Sequence, residues 1–295
     1  MKAWWLPIAG ATMFAINPSG QSALDERMRT PARPDPNDTA GPARTAQGVL
    51  IETSSNLGSG IGAELTGDYR EAVMLLTRAI EEEHDAMKLA LARRFRGLSY
   101  KHLGRRDEAL HDFLEVIRLQ PQLDLGYYNA GVIYNLQGRY KDAIDMMTRS
   151  IQLQKDNRGL ARRRSERGNA YFHLGDFKRA HADFVAAVRL DPRDPDVVNN
   201  VAWFRATCPE ARFRNGKEAV ELATRACTLE NWKDADGIDT LAAAYAEIGN
   251  FAEAERYQQK AMALLSEDEA LRPKFRERLA QYRAKQPVRQ EISRG

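Results

Sequence analysis

One spacing constrains this chain more than any other feature. Gly97 is followed three residues on by Tyr100, then by Gly104 and Ala109. The same beat returns as Gly131, Tyr134, Gly138 and Ala143, and again as Gly168, Tyr171, Gly175 and Ala180. A further copy puts Ala242 in the first place and keeps Tyr245, Gly249 and Ala254. Phe113, Met147 and Phe184 each stand four residues beyond the alanine, and Pro121 and Pro192 close two of the copies. The second glycines, Gly104, Gly138 and Gly175, lie 34 and then 37 residues apart. A period of this size means a supersecondary unit that cannot bury its apolar face alone and stacks on copies of itself. The second glycine closes a first helix, because a left-handed residue satisfies the last carbonyls with least strain. The proline bars continuation into the next unit.

On these residues the chain resembles tetratricopeptide-repeat proteins. The resemblance covers roughly residues 61–265. It implies an all-α fold: a right-handed superhelical solenoid of antiparallel helix–turn–helix repeats with a C-terminal capping helix. It also implies a non-catalytic scaffold that holds partner proteins or extended peptides in a concave groove. Two departures stand out. Arg93 and Arg164 replace the large aromatic that often opens the unit, and Lys155 stands where a closing proline is usual. The stretch from NNVAWFRATCPEARFRNGKEAV through IDTLAAAYAE to FRERLAQYRA is similar to the tail of many bacterial members. In this register Gly97, Gly131 and Gly168 let two helices approach, the tyrosines one turn on fill the gap, and Ala109, Ala143 and Ala180 answer from the second helix.

Four segments follow. Residues 1–23 read as a signal peptide, because Lys2 precedes the apolar run AWWLPIAGATMFAI, too short for an ordinary membrane span. Cleavage is expected near residues 22–23. Residues 24–45, rich in proline and charge, read as a disordered linker. Residues 46–265 form the array of about five to six units. Its first unit is degenerate: glycines at 48, 58, 60 and 62 predict an irregular or frayed helix before a firm one from Asp68 to about Glu83. Three extra residues between Gly138 and Gly175 are expected to lengthen a helix end around 155–160. The loop CPEARFRNG interrupts the fifth unit. Residues 266–295 read as a capping helix and basic tail, with Leu271, Phe275, Leu279 and Tyr282 on one face over 267–284.

A formal net charge of +3 over 295 residues gives no general case for nucleic acid. Chemistry is thin. The five histidines show no metal-ligand spacing, the glycines at 58, 60 and 62 lack the strand and further glycine of a phosphate cradle, and no nucleophile elbow is present. No cofactor, no metal and no catalytic residue is expected. Cys208 and Cys227 are expected as two free, mostly buried thiols, because a helical hairpin separates them beyond disulfide reach.

Function then falls to the outward places of successive first helices. These carry Arg94 and Lys101; Tyr128, Asn129 and Asn135; Arg162, Ser165 and Asn169; and Asn199, Asn200 and Trp203. Amides can pair with the backbone of an extended peptide, and arginines can clamp a carboxylate, so an acidic partner is among the candidates. A rival reading takes the arginine clusters, Arg93, Arg94, Arg96, Lys101, Arg105 and Arg106 with Arg158, Arg162, Arg163, Arg164 and Arg167. There an envelope assembly factor would dock an acidic polysaccharide or protein. The placement is exported, periplasmic or secreted. If the leader stays uncleaved, the reading becomes a cytosolic adaptor. No membrane span is expected after leader cleavage.

Overall fold

The computed structural model describes residues 55–266 and 270–292, with four short strands at Trp4–Ile8, Ala11–Ile16, Ala43–Arg44 and Leu50–Ile51. The apolar run expected as a leader supplies the first two strands, β1 and β2, which pair antiparallel with Trp4 opposite Ile16. β3 and β4 pair in the same sense. Most of the expected linker, and residues 267–269 of the expected capping helix, lie outside the described residues.

The array itself is all-helical. Its helices are α1 (Ser55–Thr66), α2 (Tyr69–Glu82), α3 (Ala86–His102), α4 (Arg106–Leu119), α5 (Asp124–Leu136), α6 (Tyr140–Leu153), α7 (Asn157–His173), α8 (Phe177–Leu190), α9 (Pro195–Thr207), α10 (Gly216–Leu229), α11 (Ala235–Glu247), α12 (Phe251–Ala263) and α13 (Arg272–Arg283). The odd-numbered helices up to α11 are the first helices of successive hairpins. The chain divides into two compact units within α5, between Ile133 and Tyr134. Among the described residues no helix is long and apolar enough to cross a membrane.

Helix ends follow local chemistry. Asp68, Asp85, Asp156, Asp176, Asp194 and Asp234 each precede a helix and accept a hydrogen bond from a first-turn backbone N–H. That satisfies one of the four donors every helix start leaves open. Gly104 and Gly138 both take φ 74°, the left-handed value their place after a first helix demands.

In the first unit α1 packs on α2, α2 on α3 and α3 on α4. Leu57, Ile61, Ala72, Leu76, Ala79 and Ala92 form one core. The expectation of an irregular first helix is corrected here, since residues 55–66 are a continuous α-helix. A Cβ at Gly60 would stand 2.7 Å from Leu76 Cγ, so the glycine admits α2 at close range. Tertiary packing overrides the propensity penalty.

In the second unit Phe172, Phe177, Phe184, Val201 and Phe204 make an aromatic core. Ile238, Leu241, Ala261, Leu265 and Phe275 make the next one. The extra residues before α7 appear as an early start, Asn157, which gives α7 the same 17-residue length as α3. The loop after α9 is not slack. Ala211–Phe213 forms one 3₁₀ turn, Phe213 packs on Phe204, and Arg214 Nη1 donates to the carbonyls of Cys208 and Pro209.

Gly97 and Gly168 behave as the register requires. An added Cβ would lie 2.7 Å from the Phe113 ring and 2.9 Å from the Phe184 ring, respectively. Gly168→Val is therefore expected to lower stability by about 1–3 kcal/mol through overpacking. Chemical denaturation would check it, and an unchanged midpoint would show that the α7–α8 contact can part freely.

Candidate functional site

The polar residues sort into two populations, those consumed by the scaffold and those left on the first-helix faces. Of the arginine clusters, Arg93, Arg96, Arg163, Arg164 and Arg167 fall into the first. Asp112 on α4 is fully buried. It accepts a bidentate pair from Arg96 Nε and Nη2, both at 2.8 Å, and a third bond from Arg93 Nη1 at 3.1 Å. Arg96 Nη1 reaches on to Thr77 Oγ1 on α2 at 3.0 Å. The second unit repeats the set. Asp183 on α8 takes Arg167 Nε at 2.7 Å, Arg167 Nη2 at 2.9 Å and Arg164 Nη1 at 3.0 Å, and Arg167 Nη1 donates to Thr148 Oγ1 at 3.0 Å. Burial alone would lower the guanidinium pKa of Arg96 and Arg167; the aspartate bond and charge reverse this and raise both.

Three other cluster members pair at the surface, with side chains about half exposed. Arg162 pairs with Asp194, Arg105 with Glu108, and Arg158 lies 3.9 Å from Asp191. Buried Arg163 donates to Ser150 Oγ and to the Gly159 carbonyl.

The groove candidates of the first unit are Arg94, Lys101, Tyr128 and Asn129. Asn129 is buried and the other three are half-buried. Burial lowers the Arg94 guanidinium pKa, and the charges of Glu64 and Asp124 oppose it. Burial likewise raises Glu64, with Arg94 and Lys101 pulling it down. The structure thus groups Arg94 and Lys101 electrostatically with an acid on α1.

In the second unit the candidates divide. Asn135 Nδ2 donates to the backbone carbonyl and the carboxylate of Glu166 on α7, both at 3.0 Å. Asn200 Nδ2 donates to Ser165 Oγ at 3.0 Å, tying α9 to α7. These two amides, with Arg162, serve contacts between neighbouring first helices. Asn169 and Asn199 make no side-chain hydrogen bond to another described residue, and Asn199 Oδ1 is a buried acceptor without a partner among them. Trp203 lies one turn beyond Asn199 and donates Nε1–H to Gln290 Oε1 at 2.9 Å.

That last bond was invisible in the sequence. Lys285 takes φ 56°, and the Gln286 N–H closes back on the Gln281 carbonyl, ending α13. Residues 286–292 then run without helix. Pro287 was the only local sign that the chain would leave the helix there.

Among the described residues no group of three His, Cys, Asp or Glu could hold a metal ion. Cys208 and Cys227 are buried and unpaired, and burial pushes both thiols up to about 11. A protonated, buried thiol is a poor nucleophile. His102 and His173 stack face to face on Tyr69 and Tyr140, and burial lowers both imidazoles.

Comparison with known proteins agrees with this geometry. Tetratricopeptide-repeat family models match residues 96–157, 161–194 and 235–266. The chain is 30% identical over 140 residues to human tetratricopeptide repeat protein 16, covering 43% of this chain and 15% of that protein. It is 28% identical over 210 residues to human tetratricopeptide repeat protein 13, covering 69% of this chain and 22% of that one. It thus spans less than a quarter of the length of these curated relatives. Among solved structures, the crystal structure of the APC/C hetero-tetramer Cut9–Hcn1 superposes with TM-score 0.64 at 18% identity, covering 77% of this chain and 42% of that one. The chain carries tetratricopeptide repeats, and its fold is that of tetratricopeptide solenoids.

Proposed function

We propose that this protein is a non-catalytic interaction scaffold whose first-helix faces bind a protein partner through an extended segment. The observation that carries this reading is the sorting of polar groups. The ion pairs of α2–α4 and α6–α8 hold Arg93, Arg96, Arg164 and Arg167 in the repeat interior, while the first helices of the second unit keep Asn169 and Asn199 out of the scaffold's own bonds. The NH2 of a side-chain amide can donate to the carbonyls of an extended backbone. The tetratricopeptide fold is typical of protein-interaction scaffolds and supports the same reading. The apolar run behind Lys2 supports an exported setting.

The test is affinity capture from native extract with the wild-type chain and with Asn169→Ala/Asn199→Ala. Neither amide bonds another described residue, so the variant is expected to keep its fold and to lose its bound partners by about tenfold or more, roughly the effect of one or two lost hydrogen bonds to a buried backbone. An identical set of bound proteins, at identical yield, would remove the amides from the binding face.

A further inference from the structure

The segment 286–292 lies on the second unit as a bound peptide would. Its backbone makes a helix-capping contact: the Gln290 N–H donates to the Thr207 carbonyl at 2.9 Å, at the end of α9, where a helix leaves its last carbonyls unsatisfied. Its side chains alternate among distinct partners. Val288 is buried in a cluster with Ala242, Ala246, Ala254 and Tyr282. Arg289 pairs with Glu247 on α11 at 2.8 Å. Gln290 Oε1 receives Trp203 Nε1–H. Ile292 lies against Gly175, where an added Cβ would come 3.3 Å from its methyl. One extended stretch thus engages α11, the end of α9 and the turn after α7. Its chain reversal is built in by a left-handed Lys285 and by Pro287.

We infer that this face of α9 and α11 is a peptide-binding site that the chain's own residues 286–292 keep filled. Its external ligand is an extended segment of the same chemistry, a branched aliphatic residue followed by a cation and an amide. The inference rests on the scaffold reading and sharpens it, because it names the polarity of the partner. Glu247 already accepts a hydrogen bond from Arg214 at one oxygen and faces the Arg289 guanidinium, as an ion pair, at the other. Withdrawal of Arg289 leaves a half-paired carboxylate, so the incoming segment is basic at that place, opposite to the acidic partner suggested by the arginine clusters. A tethered segment competes at an effective concentration on the order of millimolar. A free ligand therefore sees its affinity divided by the small fraction of molecules whose site is open.

The probe is a fluorescein-labelled hexapeptide with the sequence of residues 287–292, PVRQEI, titrated by anisotropy into the full chain and into Val288→Ser/Arg289→Ala/Gln290→Ala. The variant is expected to bind at least about tenfold more tightly than wild type, and adding Trp203→Phe or Glu247→Gln to it is expected to reverse most of the gain. Equal or weaker binding by the folded variant, or equal binding of the reversed sequence, overturns the inference. Should the variant fail to fold, hydrogen exchange on the wild type decides. Excess peptide is expected to accelerate exchange of the Gln290 amide, and an unchanged rate overturns the proposal. The two readings fail separately. No peptide binding, with capture still dependent on Asn169 and Asn199, sinks the segment and leaves the scaffold. Peptide binding with capture indifferent to those amides sinks the amide row and leaves this site.

Discussion

Replacing Arg278 with alanine is expected to lower stability by about 3–5 kcal/mol at pH 8, and by much less at pH 5. Arg278 joins the capping helix α13 to α11 through a buried ion pair with Asp239, which also accepts from Gln258 Nε2 at 2.8 Å. Asp239 is only 3% exposed. Burial holds its carboxyl at about 6, well above the ordinary 3.8, and the Arg278 charge and Gln258 bond pull it down from higher still. The sign follows from that order. A carboxyl whose folded pKa is raised binds its proton more tightly when folded, so its contribution is most favourable below the ordinary value and declines as pH rises through about 6. Without Arg278 the folded pKa climbs further. At pH 8 the variant must then bury an unpaired carboxylate or take up a proton, whereas at pH 5 the carboxyl is already largely neutral. Urea denaturation at the two pH values reads the difference. A deficit that does not change with pH would assign Arg278 to packing alone, on the Trp203 and Phe275 rings that its guanidinium covers at 4.4 and 5.8 Å.

The repeat register was legible because its signals are local or nearly so. A glycine at φ 74° after a first helix, an aspartate before the next one and an alanine at a helix crossing each act within a hairpin. Gly60 was misread for the complementary reason. Its helix propensity is a property of its own turn, but the reason for a glycine there is Leu76, on the following helix. The role of the arginines was hidden by distance of another kind. Arg93 and Arg96 reach a carboxylate 19 and 16 residues away, which only a closed hairpin brings near. A signal was present at a longer period. Tyr69, Thr77, Arg93, Arg96, His102 and Asp112 recur 71 residues later as Tyr140, Thr148, Arg164, Arg167, His173 and Asp183. Two hairpins therefore repeat as a pair, a pattern that the single-unit spacing obscures.

The candidate face was legible in part. Helical spacing placed Asn199, Asn200 and Trp203 on one first helix, but it could not say that Asn200 would be spent on Ser165 or that Trp203 would meet Gln290. The second of these partners is 87 residues away in an extended segment with no periodicity of its own. Residues that read as a basic tail are instead partners of the array.

The paired networks make the second large prediction. Asp183→Ala is expected to cost about 3–5 kcal/mol, and Asp112→Ala a similar amount in the other unit, because each removes the carboxylate that compensates two partly buried guanidinium groups. Side-chain exposure orders the partners: Arg167 is 17% exposed and bidentate, while Arg164 is 33% exposed and makes one bond to the same carboxylate. Arg167→Ala is thus expected to cost more than Arg164→Ala. In the Asp183→Ala background Arg167→Ala is expected to cost little further, since the interaction is already gone, and the coupling shows as a non-additive cycle. Replacing both partners by apolar residues, as in Arg167→Met/Asp183→Leu, is expected to recover part of the loss, since the more buried guanidinium goes with its carboxylate and only the more exposed Arg164 is left without it. Denaturation of the single and double variants measures each corner. Deficits below about 1 kcal/mol, the value of an exposed surface pair, would mean that these arginines are free to leave the interior. They would then be available to an acidic ligand, and the arginine-cluster reading would regain the ground that the ion pairs now take from it. A large, non-additive loss ties them to the hairpin interior and leaves recognition to the first-helix faces.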